Sequence, residues 1–146
     1  MLSNSCRYGI RAVIYIASRK KSIGKTGLKA ISEALELPTP YLAKILQQLA
    51  KHKILHSAKG PHGGFSMFRD PKKVTLLNII EIIDGDEFFK NCIIHNRSCT
   101  YIDEKKLPCP LHDDYGNLRE GLINLFQKRT IYDLAKKANE TGAMTI

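Results

Sequence analysis

Three cysteines and a histidine carry the clearest chemistry of this chain of 146 residues. Cys92, Cys99 and Cys109 are followed, three residues after the last of them, by His112. Thiolates are preferred ligands of soft metals and iron–sulfur clusters, and a neutral imidazole can replace one of them. The four residues therefore predict an iron–sulfur site of the 2Fe–2S or 4Fe–4S type. Zinc at a structural site, a thiol switch and no ligand at all remain as alternatives.

The segment that holds the cysteines lacks helical or strand periodicity. Residues 86–110 contain Cys, Asn, Asp, Lys and two Pro, which predicts an irregular loop that can fold around a cluster. We interpret His95, inside this loop, as solvated rather than as a ligand. The sequence shows no signal peptide and no run of membrane-spanning length, which predicts a cytoplasmic protein without a membrane partner. In that reducing compartment, structural disulfides are not expected.

The charge of the chain is divided unevenly between its two halves. Residues 1–73 carry 14 Lys/Arg and 3 Asp/Glu, whereas residues 74–146 carry 9 and 11. The formal net charge of +9 therefore comes entirely from the first half. Such asymmetry indicates a polyanion as the partner of that half.

The basic half has the pattern of a helix-turn-helix. A first helix is predicted over residues 5–19 and is apolar nearly all round, which indicates burial on several sides. Thr26 is the expected cap of a second helix that ends at Leu37, since the residue before a proline leaves helical geometry. Thr39, as cap, and Pro40, as first helical residue, begin a third helix about three residues later. The residues expected to face inward from the second and third helices are Leu28, Ile31, Ala34, Leu35, Leu42, Ile45, Leu46 and Leu49.

A hairpin and a further helix are expected next. Two short strands, over residues 54–58 and 65–68, surround a turn rich in Gly and Pro, which is the pattern of a wing. Thr75 is the expected cap of a helix that runs from residue 76 to residue 84 and is closed by Gly85.

The last third of the chain has the pattern of a long helix that pairs with another helix. Apolar residues step by four and three, as in the seam of a coiled coil. They are Leu111, Tyr115, Leu118, Leu122 and Leu125. The alternative is an amphipathic helix that docks on its own core. Thr130 with Asp133 is a capping-box pattern for a short final helix.

These elements predict a mainly α fold with a small β-wing, namely a winged helix-turn-helix followed by a long dimerisation helix. The expected division is a DNA-binding domain over residues 1–85, a cysteine-bearing sensor loop over 86–111, and the dimerisation and C-terminal helices over 112–146. Polar residues near the start of the third helix suit phosphate oxygens and base edges. Gln47 or Gln48 is the candidate for an adenine edge, and the pattern does not decide between them.

In combination, four motifs resemble the Rrf2 family of bacterial winged-helix regulators. The motif at residues 8–12 (YGIRA) is similar to the family's first helix, and residues 41–49 are similar to its recognition helix. Residues 60–65 (GPHGGF) are similar to its wing, and residues 118–134 to its dimer helix and terminal cap. The resemblance covers nearly the whole chain.

The resemblance implies a homodimer whose helices over residues 112–128 cross, bound to a near-palindromic site on double-stranded DNA. It implies that the start of the recognition helix enters the major groove and that the wing enters the minor groove. The residues expected to contact DNA are Thr39, Pro40, Tyr41, Lys44, Gln47, Lys59, Gly60, Pro61, His62 and Gly63.

The resemblance also bears on the ligands of the cluster. Family members that bind a cluster have three cysteines in this loop, and one subgroup has a histidine at the place of His112. Other subgroups use an acidic residue from the first helix of the partner subunit. Arg7 stands at that place here, with Cys6 beside it as a substitute ligand. The spacing from Cys99 to Cys109 is longer than usual and leaves the number of iron atoms open.

The sequence thus predicts a transcription regulator, acting as a repressor, that an iron–sulfur cluster controls. The alternative is a cluster-free member of the family, controlled by a small metabolite or by thiol oxidation. A thiol enzyme is not expected, because no paired carboxylates, phosphate-binding loop or catalytic triad accompany the cysteines.

Overall fold

A computed structural model of the chain describes residues 2–19, 24–95, 98 and 109–142. The described elements are α1 (Asn4–Ser18), α2 (Leu28–Leu35), α3 (Thr39–Lys51), β1 (Leu55–Ala58), β2 (Gly64–Met67), α4 (Leu76–Ile83), α5 (Glu87–Lys90), α6 (His112–Lys128) and α7 (Ile131–Thr141). A 3-10 turn over Pro71–Lys73 precedes α4. The predicted fold class, mainly α with a small β-wing, is confirmed. No helix in the described ranges is both long enough and apolar enough to span a membrane.

The first helix lies at the centre of the main core. The side chains of Ala12, Val13 and Ile16 are buried, and α1 packs against α3, α4 and α7. The side chain of Ser3 caps the helix by accepting a hydrogen bond from the backbone N–H of Cys6. Burial on several sides agrees with the nearly continuous apolar character of this segment.

Helices α2 and α3 form the helix-turn-helix, but their caps differ from the prediction. The N-cap of α2 is Gly27, and the preceding Thr26 instead exchanges two backbone hydrogen bonds with Phe65 of the wing, at 2.8 and 2.9 Å. The N-cap of α3 is Pro38, so the helix begins at Thr39, one residue earlier than expected. Ala34, expected to face inward, is exposed.

The wing is a two-stranded antiparallel hairpin in which Leu55 pairs with Met67 and Ala58 pairs with Gly64. Leu55 and Phe65 point into the main core, which fixes the hairpin against the helices. An isolated antiparallel bridge between Thr26 and Phe65 joins this two-stranded sheet to the residue pair that precedes α2. The wing is therefore anchored on both sides, and its turn projects into solvent.

The last helix returns to the first half of the chain. Capping boxes begin α4 at Thr75 and α7 at Thr130, as the sequence predicts. The two caps also pair with one another as an isolated β-bridge. Because of this bridge, Ile131 is fully buried in the main core and α7 packs against α1.

A short helix, α5, occupies the start of the segment that was expected to be an irregular loop. Phe89 of α5 is buried and makes an edge-to-face contact with Phe126 of α6, with ring centroids 6.1 Å apart. Together with Cys6 and Ile80, it forms a second apolar cluster. The prediction of a loop from residue 86 is therefore wrong as far as residue 90, because a tertiary contact stabilises this helical turn.

Helix α6 carries an apolar stripe on its surface. None of its 17 described residues is buried. The helix packs against α4 through Ile123 and Phe126, whereas Leu118 is 62% exposed and Leu125 is 47% exposed. The predicted seam therefore lies mostly on the solvent side of the monomer.

Candidate nucleic-acid interface and cysteine site

The recognition helix presents opposite faces to the core and to solvent. Leu42, Leu46 and Leu49 are completely buried. The predicted contact residues Thr39, Pro40, Tyr41, Lys44 and Gln47 are all exposed. Tyr41, with 62% of its surface exposed, is the largest of them. The helix therefore offers a mixed polar and aromatic surface at its N-terminal end.

The hydroxyl group of Thr39 has a partner within the turn. Ser32 Oγ lies 2.6 Å from the carbonyl oxygen of Leu37, to which it donates. Ser32 Oγ also lies 2.7 Å from Thr39 Oγ1. Since Ser32 has one hydroxyl hydrogen, Thr39 is the donor in the second contact. This pair fixes the turn between α2 and α3, and it leaves the Thr39 hydroxyl only as an acceptor for other groups.

Two adjacent glutamines of α3 point in different directions. Gln48 Nε2 donates to the backbone carbonyl oxygen of Ile82, at 2.6 Å, and so connects α3 to the end of α4. Gln47 Nε2 donates to Ser57 Oγ of the wing, at 3.3 Å. Gln47 therefore lines the cleft between helix and wing, whereas Gln48 is engaged with α4. Which of the two glutamines reads a base stays a prediction.

The tip of the wing is built by glycines and exposes its polar residues. Lys59, Pro61 and His62 are exposed, and Gly63 is half-buried. Gly64 has a φ of +143°, and a Cβ atom at this position would lie 2.4 Å from the carbonyl oxygen of Thr26. A side chain there would separate the wing from the backbone of Thr26.

A cleft of about 440 Å³ lies between the wing and the two helices of the helix-turn-helix. Its lining includes Lys29, Gln47, Ser57 and Lys59. Lysines and amide groups are the side chains that bind phosphates and base edges. The predicted contact residues that line this one cleft are Gln47 of α3 and Lys59, Gly60, Pro61 and Gly63 of the wing.

The second site is a group of soft ligands in the cysteine loop, which we define as residues 91–111. Cys92 Sγ lies 3.5 Å from Cys109 Sγ and 3.5 Å from His95 Nδ1. All three ligand atoms lie within 4.8 Å of one another. The structure therefore brings two of the four predicted ligands together, across 17 residues of sequence.

The backbone around Cys92 favours its thiolate. The N–H group of His95 donates to Cys92 Sγ at 3.4 Å. The backbone N–H groups of His95 and Ile94 lower the pKa of the Cys92 thiol to about 6. A thiolate is the form that binds metals and attacks electrophiles, so Cys92 is ready for either reaction near neutral pH.

The two remaining predicted ligands are His112 and Cys99. His112 is the first residue of α6, and its backbone N–H donates to the carbonyl oxygen of Cys109, at 2.9 Å. Its imidazole does not belong to the compact group formed by Cys92, His95 and Cys109. Cys99 lies outside the described residues. Its role as a ligand stays a prediction.

His95 is the residue that our sequence interpretation assigned to solvent. Its side chain is exposed, but the ring is directed at the sulfur of Cys92. One signal in the sequence was available, because Cys92 and His95 have the same spacing as Cys109 and His112. Ligands two intervening residues apart are common in metal sites.

Cys6, the substitute ligand suggested by its place in the first helix, is in a different environment. It is completely buried beside Ile80 and Phe89. Burial, and secondarily the carboxylate of Asp84, raises the pKa of its thiol to about 12. Cys6 is therefore a protonated core residue in this structure. It is unsuited to bind a metal without rearrangement of the second apolar cluster.

Comparisons with known proteins agree with this architecture. The model of the Rrf2 family, described as an iron-dependent transcriptional regulator, matches residues 2–137. A chain from Aquifex aeolicus (strain VF5), provisionally assigned as an HTH-type transcriptional regulator, is 30% identical over 134 residues. The match covers 92% of this chain and 90% of that protein.

Two solved structures share the fold. CymR, titled the global cysteine regulator of B. subtilis, has a TM-score of 0.75 at 23% identity, with 94% of this chain and 97% of CymR covered. IscR of T. potens has a TM-score of 0.72 at 21% identity, with 97% and 90% covered. At these identities, the likeness shows a shared fold and no more.

Proposed function

The chain belongs to the Rrf2 family of transcription regulators, and from that premise we propose that it is a homodimeric repressor controlled by an iron–sulfur cluster. It is a DNA-binding regulator and not an enzyme. The proposal concerns the residues that read DNA, the subunit contact and the group that controls both. A regulator of this kind acts in the cytoplasm, where bacterial DNA lies.

The exposed surface of α3 and the wing supports an assignment of each element to one groove. The N-terminal end of α3, with Tyr41, Lys44 and Gln47, would enter the major groove. The wing tip, with Lys59 and His62, would enter the adjacent minor groove. The remaining members of the proposed interface are Thr39, Pro40, Gly60, Pro61 and Gly63. Since Gln47 is held by Ser57 beside the cleft, it is the residue of this set best positioned to read an adenine.

The exposed stripe of α6 supports a homodimer. Leu111, Leu118 and Leu125 recur every seven residues and are each more than two-fifths exposed. Leucines repeated in this way stabilise a pair of helices when the second helix covers them and removes them from water. A two-fold dimer would present two recognition helices to one near-palindromic site, about 34–36 Å apart for adjacent half-sites.

The observation that carries the cluster assignment is the contact between the two loop thiols. The ligand atoms of Cys92, Cys109 and His95 lie within 4.8 Å of one another. This mixture of sulfur and nitrogen donors suits iron or an iron–sulfur cluster. With Cys99, the loop offers three thiols. The sequence predicts His112, which directly follows the loop, as the fourth ligand. When bound, the cluster supplies a covalent link that oxygen or redox change can break.

The residues around the loop connect it to the DNA-reading surface. Cys92 lies two residues after the end of α5, and Cys109 lies three residues before the start of α6, so joining them would set the start of α6 relative to α5. Helix α4 packs against both α6 and α3. Gln48 fixes α3 to the carbonyl oxygen of Ile82, at the end of α4. A shift of α6 therefore reaches the recognition helix through one intervening helix.

Anaerobic reconstitution with ferrous iron and sulfide tests the cluster. Wild-type protein is expected to take up both elements and to show sulfur-to-iron charge-transfer absorption. Cys99→Ala is expected to prevent assembly, whereas Cys6→Ala, the matched loss of a thiol outside the loop, leaves it intact. A colourless wild-type protein without iron, or a Cys99→Ala protein with full iron content, would overturn the cluster assignment and leave the DNA-binding function.

A thiol switch is the second candidate, and the same 3.5 Å contact between Cys92 Sγ and Cys109 Sγ favours it. A hydroperoxide would oxidise the two thiols to one disulfide; the two protons and two electrons that they lose reduce the hydroperoxide to an alcohol and one water, or hydrogen peroxide to two waters. Mass spectrometry after peroxide treatment of iron-free protein separates the candidates. A Cys92–Cys109 disulfide that alters DNA affinity, in a protein that never binds iron, favours the switch.

A further inference from the structure

We infer that His95, rather than His112, supplies the nitrogen ligand of a soft-metal site that includes Cys92 and Cys109. The inference rests on the metal-binding role proposed for the cysteine loop. It does not require the bound metal to be an iron–sulfur cluster. It names a ligand that the motifs of the sequence did not select.

Two of the three distances between the ligand atoms are close to those around a single metal, and all three atoms lie within 4.8 Å of one another. Two ligands of a tetrahedral ion, each about 2.3 Å from the metal, lie about 3.8 Å apart. Cys92 Sγ lies 3.5 Å from both Cys109 Sγ and His95 Nδ1. Only small side-chain rotations would therefore be needed to close the three atoms around an ion.

The backbone between Cys92 and His95 supports this geometry. The chain bends sharply through residues 93–95, which brings the N–H of His95 to 3.4 Å from Cys92 Sγ. The same bend directs the imidazole toward the sulfur, while Ile93 and Ile94 remain exposed at 61% and 55%. One backbone conformation thus positions a donor to the sulfur and a second metal ligand together.

His112 has the same spacing from a cysteine but a different backbone. It follows Cys109 by three residues, as His95 follows Cys92. Its N–H, however, bonds to the carbonyl oxygen of Cys109, and it is already the first residue of α6. The turn at Cys109 therefore closes a backbone hydrogen bond and begins a helix, and the ring of His112 lies outside the compact group. Local structure, not spacing, distinguishes the two histidines.

The inferred ligand set also defines a class of metal. Two thiolates and an imidazole are ligands that zinc takes, and such donors also suit iron and cobalt in the divalent state. Cobalt(II) is therefore a suitable spectroscopic probe, because its absorption reports on thiolate ligands and on the number of ligands.

The experiment is a cobalt(II) titration of the reduced, full-length protein under anaerobic conditions. His95→Ala and His112→Ala form a matched pair, since each removes one imidazole three residues after a cysteine. We expect His95→Ala to weaken cobalt binding at least about 10-fold and to shift the ligand-field bands, as loss of a ligand does. His112→Ala should reproduce the wild-type titration and spectrum. Thermal unfolding of both metal-free variants provides the check that they fold.

Three results would overturn the inference. They are a wild-type protein that binds no cobalt, a His95→Ala protein with wild-type affinity and spectrum, and a His112→Ala protein that is affected as much as or more than His95→Ala. The parallel iron and sulfide assay separates this inference from the proposed function. Cobalt binding with the expected pattern but no cluster assembly would contradict only the iron–sulfur assignment. Cluster assembly that depends on His112 and not on His95 would contradict only the assignment of His95 as a ligand.

Discussion

The reading head, residues 2–83, and the cysteine loop, residues 91–111, obtain their chemistry in different ways. In the reading head, buried residues such as Leu42 and Leu46 build a rigid scaffold, and function is carried by side chains on its outer surface. In the loop, the described contacts of the Cys92 sulfur and the His95 ring are a local backbone bend, one another and the sulfur of Cys109. A scaffold of the first kind works without a ligand, whereas the second kind of site is completed by one.

The contrast is clearest between two cysteines. Cys6 is buried within the reading head, and burial is the main reason that its pKa is raised to about 12. Cys92 receives backbone N–H groups and has a pKa lowered to about 6. The same side chain is therefore a packing element in one region and a nucleophile or ligand in the other. Each of the following predictions can break or sharpen this comparison.

The largest expected difference is in thiol reactivity. In metal-free protein at pH 7.5, we expect iodoacetamide to modify Cys92 at least about 100-fold faster than Cys6, because only the first is substantially a thiolate. The rate at Cys92 should rise with pH through about pH 6 and then level off, since its folded-state pKa is lowered to that value. Peptide mass spectrometry after timed quenching measures both rates. Equal rates in the folded protein would contradict the assignment of the two environments.

The next largest effect concerns stability. Leu46→Ala should reduce the free energy of unfolding by about 2–5 kcal/mol, because it leaves a cavity under the recognition helix. Cys92→Ser, in the loop, should change it by less than about 0.5 kcal/mol in metal-free protein. Urea unfolding followed by circular dichroism measures both. If Cys92→Ser proved as destabilising as Leu46→Ala, the loop would be part of the folding core rather than a separate ligand site.

The stripe on α6 is the proposed subunit contact. Leu118→Asp together with Leu122→Asp should give monomers, because two charges would be buried at a helix–helix seam. DNA affinity should fall at least about 100-fold, since two linked reading heads bind far more tightly than one. Sedimentation and DNA-binding titrations check both effects. A wild-type protein that is monomeric at micromolar concentration would remove the basis of this prediction.

A smaller effect is expected at the wing. Lys59→Ala should weaken DNA binding to all sequences and reduce the slope of log affinity against log salt by about 0.9, the value for one phosphate contact. Lys137→Ala, an exposed lysine on α7, is the matched control and should change neither quantity. Fluorescence anisotropy at several salt concentrations measures both variants. An identical slope for the Lys59→Ala protein and the wild type would exclude the wing from the phosphate contacts.

The parts of the fold that were predicted correctly depend on local sequence. The capping boxes at Thr75 and Thr130 involve residues three positions apart, and the helix over 112–128 follows from its own periodicity. The role of Thr26 was missed, because its partner is Phe65 in the wing and no neighbouring residue indicates that pairing. Likewise, α5 depends on the contact between Phe89 and Phe126, which lies beyond the reach of local patterns.

The limited range of local sequence patterns also explains why the residues of the two candidate sites were only partly predicted. The exposed residues of α3 and the wing follow from helical periodicity and from turn composition, so they could be chosen in advance. The choice between Gln47 and Gln48 required knowing that α4 lies beside one of them. The choice between His95 and His112 required the backbone of two segments that have identical spacing from a cysteine. The proposals that favour Gln47 and His95 therefore rest on contacts that spacing alone does not show.

The central claim is that the state of the cysteine loop sets the affinity of the reading head for DNA. The most direct test compares cluster-loaded and cluster-free wild-type protein in anaerobic anisotropy titrations, on a duplex selected from a random library. The account predicts that the two affinities differ by at least about 5-fold, the lower range of allosteric coupling. The same treatments should give one single affinity for Cys99→Ala. Equal affinities for the loaded and cluster-free wild type would contradict the claim.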